Sequence, residues 1–455
     1  MKATAVKMPI QELKESPKRA VGSGAAGPFA ARAITTIVQV TPVALQSDSR
    51  TYKQAETLAR AGYRSVVLEG KTSITPPAMS FELFSPNEAA SAPVWEAGTA
   101  TAPQVDTFSV RRMITSTLRK CGLGIVVDLA ISALDVRYFM RLQSARRWGA
   151  VPSGDLYILH SSFYYPMVKR LAASNGARIL YDAHDAYFDL SPDGDNSNPR
   201  FRRLRSFYEL VERRCVRRAD VFLTVSKGVA DLIDGRYGRR PLIVRNMHDP
   251  RLDRASELSV RRAAGVREKD FLFVSVGNYK PGMAISQALR ALQDCAENVH
   301  VAFLGLGYDQ IRSEVESCGL SSRVHLMSPM PPDQIIPFIR DADAALLTYF
   351  GLTSSYDYLF PNGFFQALAA ELPLVCPVLR EMRTVVEREK TGIVVDPTQW
   401  TEVRDAMKRL SEDADCFNQF KAAAKAAAPR YSWEREETHF LSAVNSSLGR
   451  RSGIQ

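Results

Sequence analysis

The 455-residue sequence has only six cysteines, and none of them is usefully placed. Cys121, Cys215, Cys295, Cys318, Cys376 and Cys416 are scattered, with no CxxC pair and no His/Cys spacing suited to a metal. A reducing cytoplasmic compartment fits this scatter better than a disulfide framework or a zinc site. No apolar run free of charge is long enough to cross a bilayer, so any membrane contact is peripheral. A Gly-rich phosphate loop is missing after the first strand, which argues against a dinucleotide-dependent dehydrogenase. Acidic residues are in the minority, 49 against 59 basic, and the formal charge is +10. That balance favours a polyanionic partner: anionic membrane, nucleotide or nucleic acid. An interleaved aromatic and basic module is absent, so nucleic acid ranks last and is not expected.

The remaining composition, 45% hydrophobic and 24% charged, is that of a globular protein with enough chain for two or three domains. Residues 1–34 are rich in Ala, Gly, Lys and Pro and lack an apolar core, so they read as a disordered tail. Ile34 to Val40 is a β-branched run suited to a buried parallel strand. A helix from Tyr52 to Ala61, ended by Gly62, and a strand at Ser65–Leu68 complete a βαβ unit. Residues 71–108, rich in Pro, Ala, Ser and Thr, read as a surface insertion. From Val110 to Trp148 the pattern is helical and basic, with Arg111, Arg112, Arg119, Lys120, Arg137, Arg141, Arg146 and Arg147 against Asp128 and Asp135. It is either an amphipathic surface for anionic lipid or a core helix with a solvated edge. Phe201 to Arg218 is a second arginine-rich helix open to the same two readings.

Two histidines sit at strand ends: His160 after Asp155–Leu159, and His184 after Ala177–Ala183. In open α/β sheets ligands bind outside the carboxyl ends of strands, which makes both candidates. Ser226 follows a further strand as an N-cap, and Pro241 to Asn246 gives the last strand of the first half. Beyond a polar segment at 248–266, Asp270 to Gly282 runs from strand into a Gly-containing loop, and βα alternation begins again. Within that half, Leu359 to Val375 reads as a turn, a short helix and a buried strand. Pro361, Asn362 and Gly363 supply the fixed φ, the cap and the close approach of a helix start. Such a start offers free N–H groups and a positive dipole end, which suit a phosphate.

This stretch resembles the donor-binding segment of family 4 glycosyltransferases of the GT-B fold, which runs Leu-Pro-Asn-Lys-Phe-Phe-Glu-Tyr-Leu-Ala-Ala-Gly-Leu-Pro. The likeness continues to Thr391–Pro397, similar to the family's Gly-Leu-Leu-Val-Asp-Pro. Asp48-Ser49-Arg50-Thr51-Tyr52-Lys53-Gln54-Ala55 is similar to Asp-Ser-Arg-Val-Leu-Lys-Glu-Ala, and Tyr181-Asp182-Ala183-His184-Asp185 to Tyr-Asp-Ser-His-Glu. The resemblance covers nearly all of residues 36 to 445. It implies an α/β protein with two Rossmann-like parallel-sheet domains facing a cleft. The expected divisions are 35–247 for acceptor binding, a linker at 248–266, 267–432 for the donor, a crossover helix at 433–448 and a tail at 449–455.

By the same resemblance, the activity is sugar transfer from a nucleotide-diphosphate sugar to a glycan or lipid-linked acceptor in surface polysaccharide biosynthesis. It implies a metal-independent and retaining reaction at the inner membrane face, without a cofactor. His184 is the catalytic candidate, since its family counterpart faces the donor sugar. Gly277, Asn278, Lys280, Gly282, Asn362, Gly363, Phe364, Phe365 and Gln366 are expected at the donor and its diphosphate. Asp48, Arg50, His160 and Asp185 are expected on the acceptor side. Asp193-Gly194-Asp195 has the DxD shape of metal-dependent transferases but no preceding strand, and Asp341-Ala342-Asp343 closes a helix, so both are assigned to the surface. Three positions depart from the family: Asn278 replaces an Arg, Gln366 a Glu, and Tyr358 another Glu. A Gln can still bond a ribose hydroxyl but carries no charge. The alternative is therefore a weakened pseudo-transferase that binds nucleotide or glycan as a scaffold. Nucleotide-sugar epimerases share the fold, but the acidic groups they need are not convincingly placed here.

Overall fold

The computed structural model describes residues 34–86, 124–184, 186, 188, 199–280, 282–358 and 360–449, with backbone only for 124–132 and 199–204. The expected N-terminal tail lies outside these residues but for Ile34, as do Asp185 and Asp193-Gly194-Asp195.

Thr36–Thr41 forms strand β1, and every residue of it is buried, as expected of a parallel strand covered on both faces. β2 (Arg64–Glu69) pairs beside it, and the short edge strand β3 (Glu82–Phe84) pairs with β2. The chain then returns to the other side of β1 with β4 (Leu156–Leu159), followed outward by β5 (Arg178–Ala183), β6 (Val221–Thr224) and β7 (Leu242–Ile243). Among the described residues this is a seven-stranded sheet in the order β3-β2-β1-β4-β5-β6-β7. The chain reverses direction across the sheet between β1 and β4, which makes a crevice outside their carboxyl ends. The segment expected as a surface insertion, 71–108, thus contributes β3 to the sheet.

The second sheet has six described strands in the order β10-β9-β8-β11-β12-β13, all parallel. They are β8 (Phe271–Val276), β9 (Val299–Leu304), β10 (Val324–Met327), β11 (Ala344–Leu346), β12 (Leu374–Pro377) and β13 (Gly392–Val395). Its reversal falls between β8 and β11, beside the loop that begins at Gly277.

The period of two along β4 divides the first sheet between two cores. Tyr157 and Leu159 face one with Phe163, Val168 and Cys215, while Leu156 and Ile158 face the other. That second core is completed by the last helix, Trp433–Ser447, through Trp433, Phe440, Ala443 and Val444. Trp433 is fully buried and its indole N–H donates to Thr57 Oγ1 at 2.8 Å. Truncating such an anchor costs on the order of 3–5 kcal/mol. The segment between the sheets, read from sequence as a polar linker, carries a short helix at Val260–Ala264, and Val260 is part of the second domain's core.

Candidate functional site

The crevice outside β1, β4 and β5 is built from charged groups taken out of water. Asp48 caps helix α1 (Ser49–Arg60): its carboxylate accepts from Thr51 N at 3.0 Å and from the Thr41 hydroxyl at 2.7 Å. Two residues on, Arg50 lies 1% exposed and grips Asp182 of β5 with two bonds, Nε at 2.8 Å and Nη2 at 2.7 Å. Its Nη1 donates to the Val244 carbonyl, and Gln54 adds a bond of 2.8 Å to Asp182. A buried bidentate pair of this kind depends on further hydrogen bonds, and here each of the three guanidinium nitrogens has a partner. Burial alone would raise the Asp182 carboxyl; Arg50, then His184, outweigh it and hold the group well below the usual carboxylate range.

Both histidines meet at this carboxylate. His160 Nδ1 and His184 Nε2 are 3.1 Å apart, and each lies within 3.8 Å of Asp182 Oδ2. His160 is fully buried, with Nε2 2.9 Å from Gln39 Oε1 of β1. Burial and then the adjacent His184 push it down to about 4, so it is neutral at physiological pH. His184, 24% exposed, is the member of the pair open to a ligand. His160, Asp182 and His184 each place one atom within 4.8 Å of the others, the spacing of a metal cluster. Asp182 Oδ2 in this cluster already accepts from Arg50 Nε and from the Gln54 amide.

Three of the residues expected on the acceptor side are committed to partners within the protein. Asp48 is a helix cap, Arg50 is spent on Asp182, and His160 is sealed behind His184; none is free to touch an acceptor. The fourth, Asp185, lies outside the described residues.

The second sheet supplies the opposite wall. Gly277, with φ of 134°, follows β8, and a Cβ there would stand 3.1 Å from the Tyr349 hydroxyl. Asn278 Oδ1 accepts from Leu306 N at 2.9 Å, which ties this loop to the turn after β9. Lys280 Nζ lies 5.4 Å over the Tyr349 ring, and Gly282, φ 88°, accepts from Phe350 N. Helix α10 (Asn362–Ala369) starts against the end of β8, so closely that a Cβ on Gly363 would sit 2.2 Å from the Val276 carbonyl oxygen. Phe364 and Phe365 are core side chains, and the Phe364 N–H bonds Pro361 O. What this helix start offers a ligand is therefore its first N–H groups and not these rings.

Asn362 does not cap the helix. Pro361, extended at ψ 146°, is the N-cap residue and gives no side-chain bond. Asn362 reaches instead to the Asn246 amide, while Lys53 Nζ bonds Asn246 Oδ1 at 2.6 Å and the Met247 carbonyl. Lys53, Asn246, Asn362 and Gln366 line a pocket between α1 and α10. Burial, then Arg50, pull Lys53 well below an ordinary lysine.

A second bridge joins the domains at helix α5 (Lys227–Tyr237), counting α2 as Gly124–Leu142, α3 as Tyr165–Asn175 and α4 as Pro199–Arg218. Ser226 caps α5 as expected from sequence, accepting from Val229 N at 3.2 Å. Its hydroxyl donates to Tyr358 O at 3.1 Å, and Gly228 N donates to Glu381 Oε1 at 2.9 Å. Asp341 and Asp343 both face Arg261, Asp343 at 2.6 Å, consistent with a structural role.

Sequence reasoning missed Gln39, Lys53, Asp182 and Glu381. Asp182 had a legible signal, a charge inside a strand of otherwise buried residues, where an ion needs a partner. Glu381 had none, because its partner is a backbone N–H 153 residues away.

The description "Glycosyl transferase 4-like domain" matches residues 47–246, and "Glycosyl transferases group 1" matches residues 257–427. A D-inositol 3-phosphate glycosyltransferase from Corynebacterium jeikeium is 26% identical over 266 residues, 53% of this chain and 59% of that protein. Another, from Salinispora tropica, is 25% identical over 284 residues, 56% of this chain and 55% of that protein. The match thus spans less than two thirds of these curated relatives. Sucrose-phosphate synthase from Thermosynechococcus elongatus has the same fold, with a TM-score of 0.62 at 13% identity over 91% of this chain and 99% of that one. So does HepE from Anabaena in complex with UDP-glucose, with a TM-score of 0.62 at 14% identity over 90% and 99%. With two family matches that cover both parallel-sheet domains, the chain belongs to the GT-B glycosyltransferases of the family 4 type.

Proposed function

We propose that the protein transfers a sugar from a nucleotide-diphosphate sugar to a glycan or lipid-linked acceptor in surface polysaccharide biosynthesis. The observation that carries this reading is the pairing of two carboxyl-end crevices, one holding His184 and the other the Gly277–Gly282 loop with the start of α10. The HepE structure, a likeness in fold, holds UDP-glucose, which supports a nucleotide-sugar donor. Transfer leaves charge on the departing diphosphate, and preorganised cations and N–H groups stabilise it where it develops. Lys280 and the N–H groups of Asn362 and Gly363 take that role, while Gln366 meets the ribose as a neutral partner. His184 faces the sugar. The reaction is metal-independent and retaining in this reading. The acceptor is presented at the inner membrane face, next to Leu134, Tyr138 and Met140, which stand exposed on α2 beside Arg137 and Arg141. Among the described residues no helix is long and apolar enough to cross a membrane.

Three substitutions favour a second reading, a scaffold that binds nucleotide without turnover. Asn278 is committed to Leu306, Gln366 lacks charge, and Tyr358, in place of the family's Glu, packs against Gly228 of α5. The two readings separate in a panel of UDP-, GDP- and ADP-sugars, followed by calorimetry and by nucleotide release with membrane extract as acceptor source. Binding with release supports the transferase. Binding without release supports the scaffold.

A further inference from the structure

Gln39 is a fully buried amide in the central strand, and its Oε1 lies 2.9 Å from Nε2 of an equally buried histidine. With its oxygen turned to His160 the Gln39 amide accepts there, which puts the His160 proton on Nε2 and leaves Gln39 Nε2 without a partner among the described residues. A neutral imidazole carries one proton, which leaves His160 Nδ1 as an acceptor. Across 3.1 Å, His184 Nε2 must then be the donor. Among the described residues, the charged groups that act on the two rings include Asp182, Asp48 and Arg50. Asp182 and Asp48 accept from Arg50, Gln54, Thr41 and Thr51, so neither takes over the histidine proton.

We propose that Gln39 and His160 are positioning residues that fix the tautomer of His184. With its proton held on Nε2, His184 keeps Nδ1 as a lone pair, and the ring meets a substrate hydroxyl as a hydrogen-bond acceptor. The side chain that touches substrate is thereby set by an amide two strands away in the sheet. The part that concerns substrate rests on the transferase reading; the tautomer does not.

The test uses full-length protein labelled with nitrogen-15 at its six histidines. The two nitrogen shifts of each ring report the tautomer, and His160→Asn and His184→Asn variants assign the signals. Both rings are expected as the Nε2–H form. Both rings as the Nδ1–H form, with the Gln39 amide turned to donate, would overturn the proposal. Gln39→Glu, which can still accept, is expected to keep this tautomer and to raise the His160 pKa. Gln39→Met, of similar size but unable to accept, is expected to leave His184 as a mixture. If a donor is turned over, Gln39→Met should lower kcat roughly tenfold and shift its pH profile, with Gln39→Glu retaining most of the rate. Equal losses in the two variants would reduce Gln39 to packing. A fixed tautomer with no turnover would keep the relay and reject the transferase reading.

Discussion

Arg50 and Asp182, separated by 132 residues in sequence, form a two-bond ion pair in which both side chains are essentially inaccessible to water. The pair sets the floor on which His160 and His184 rest. Removing one partner strands the other as a buried charge, a penalty on the order of 3–5 kcal/mol. Arg50→Met and Asp182→Leu are each expected to lose that much in urea unfolding, and the double variant to recover most of it.

The same carboxylate predicts the acid limb of stability. Its folded value is depressed below the ordinary 3.8, so its contribution is intact above that value and lost as pH falls below it. Asp182→Asn, measured by thermal unfolding between about pH 5 and 2, should show a flatter decline than the parent protein.

Glu212 works in the opposite direction. Burial pushes it up to about 7 against the hydrogen bonds from Tyr237 and Tyr181, at 2.6 and 2.9 Å. Its stabilisation is complete below the ordinary value of 4.5 and is lost as pH rises toward 7. The loss is on the order of 3 kcal/mol. Glu212→Gln keeps an acceptor for both tyrosines and is expected to abolish this slope between about pH 5 and 8. An unchanged slope would assign it to other groups.

Tyr358 packs on α5 so tightly that a Cβ at Gly228 would fall 1.8 Å from the ring. Gly228→Ala must displace Tyr358 and stretch the Gly228–Glu381 bond. The expected result is a domain pair loosened at this edge, seen as faster amide exchange over 226–230 and 356–358. Tyr358→Ala in the same background should restore protection at α5.

Gly363→Ala meets backbone, not a flexible side chain, at the Val276 carbonyl. It should shift the start of α10 and weaken nucleotide binding at least tenfold, while costing about 1–3 kcal/mol in stability. Full affinity in this variant would remove the α10 start from the donor site.

Where the sequence was legible, physics was local. The β-branched run of β1, the cap at Ser226 and the placing of His184 at a strand end each depend on a few neighbouring residues. The partners of Asp48 and Arg50 were not legible, because the hydroxyl and the charge that they answer are brought in by β1 and β5. Asn362 was misjudged because Pro361 takes the capping position and frees the amide to cross to Asn246. β3 is three residues long, too short for a period, and pairs only because β2 offers an open edge.

The central claim is metal-independent sugar transfer at a site shared by His184 and Lys280. It is tested most directly by nucleotide release from the best-bound nucleotide sugar in EDTA, comparing the parent protein with His184→Ala and Lys280→Ala. The account predicts release that survives EDTA and falls by at least about 100-fold in each variant, with His184→Ala still binding donor. Release that requires a divalent ion, or that persists in both variants, would contradict it.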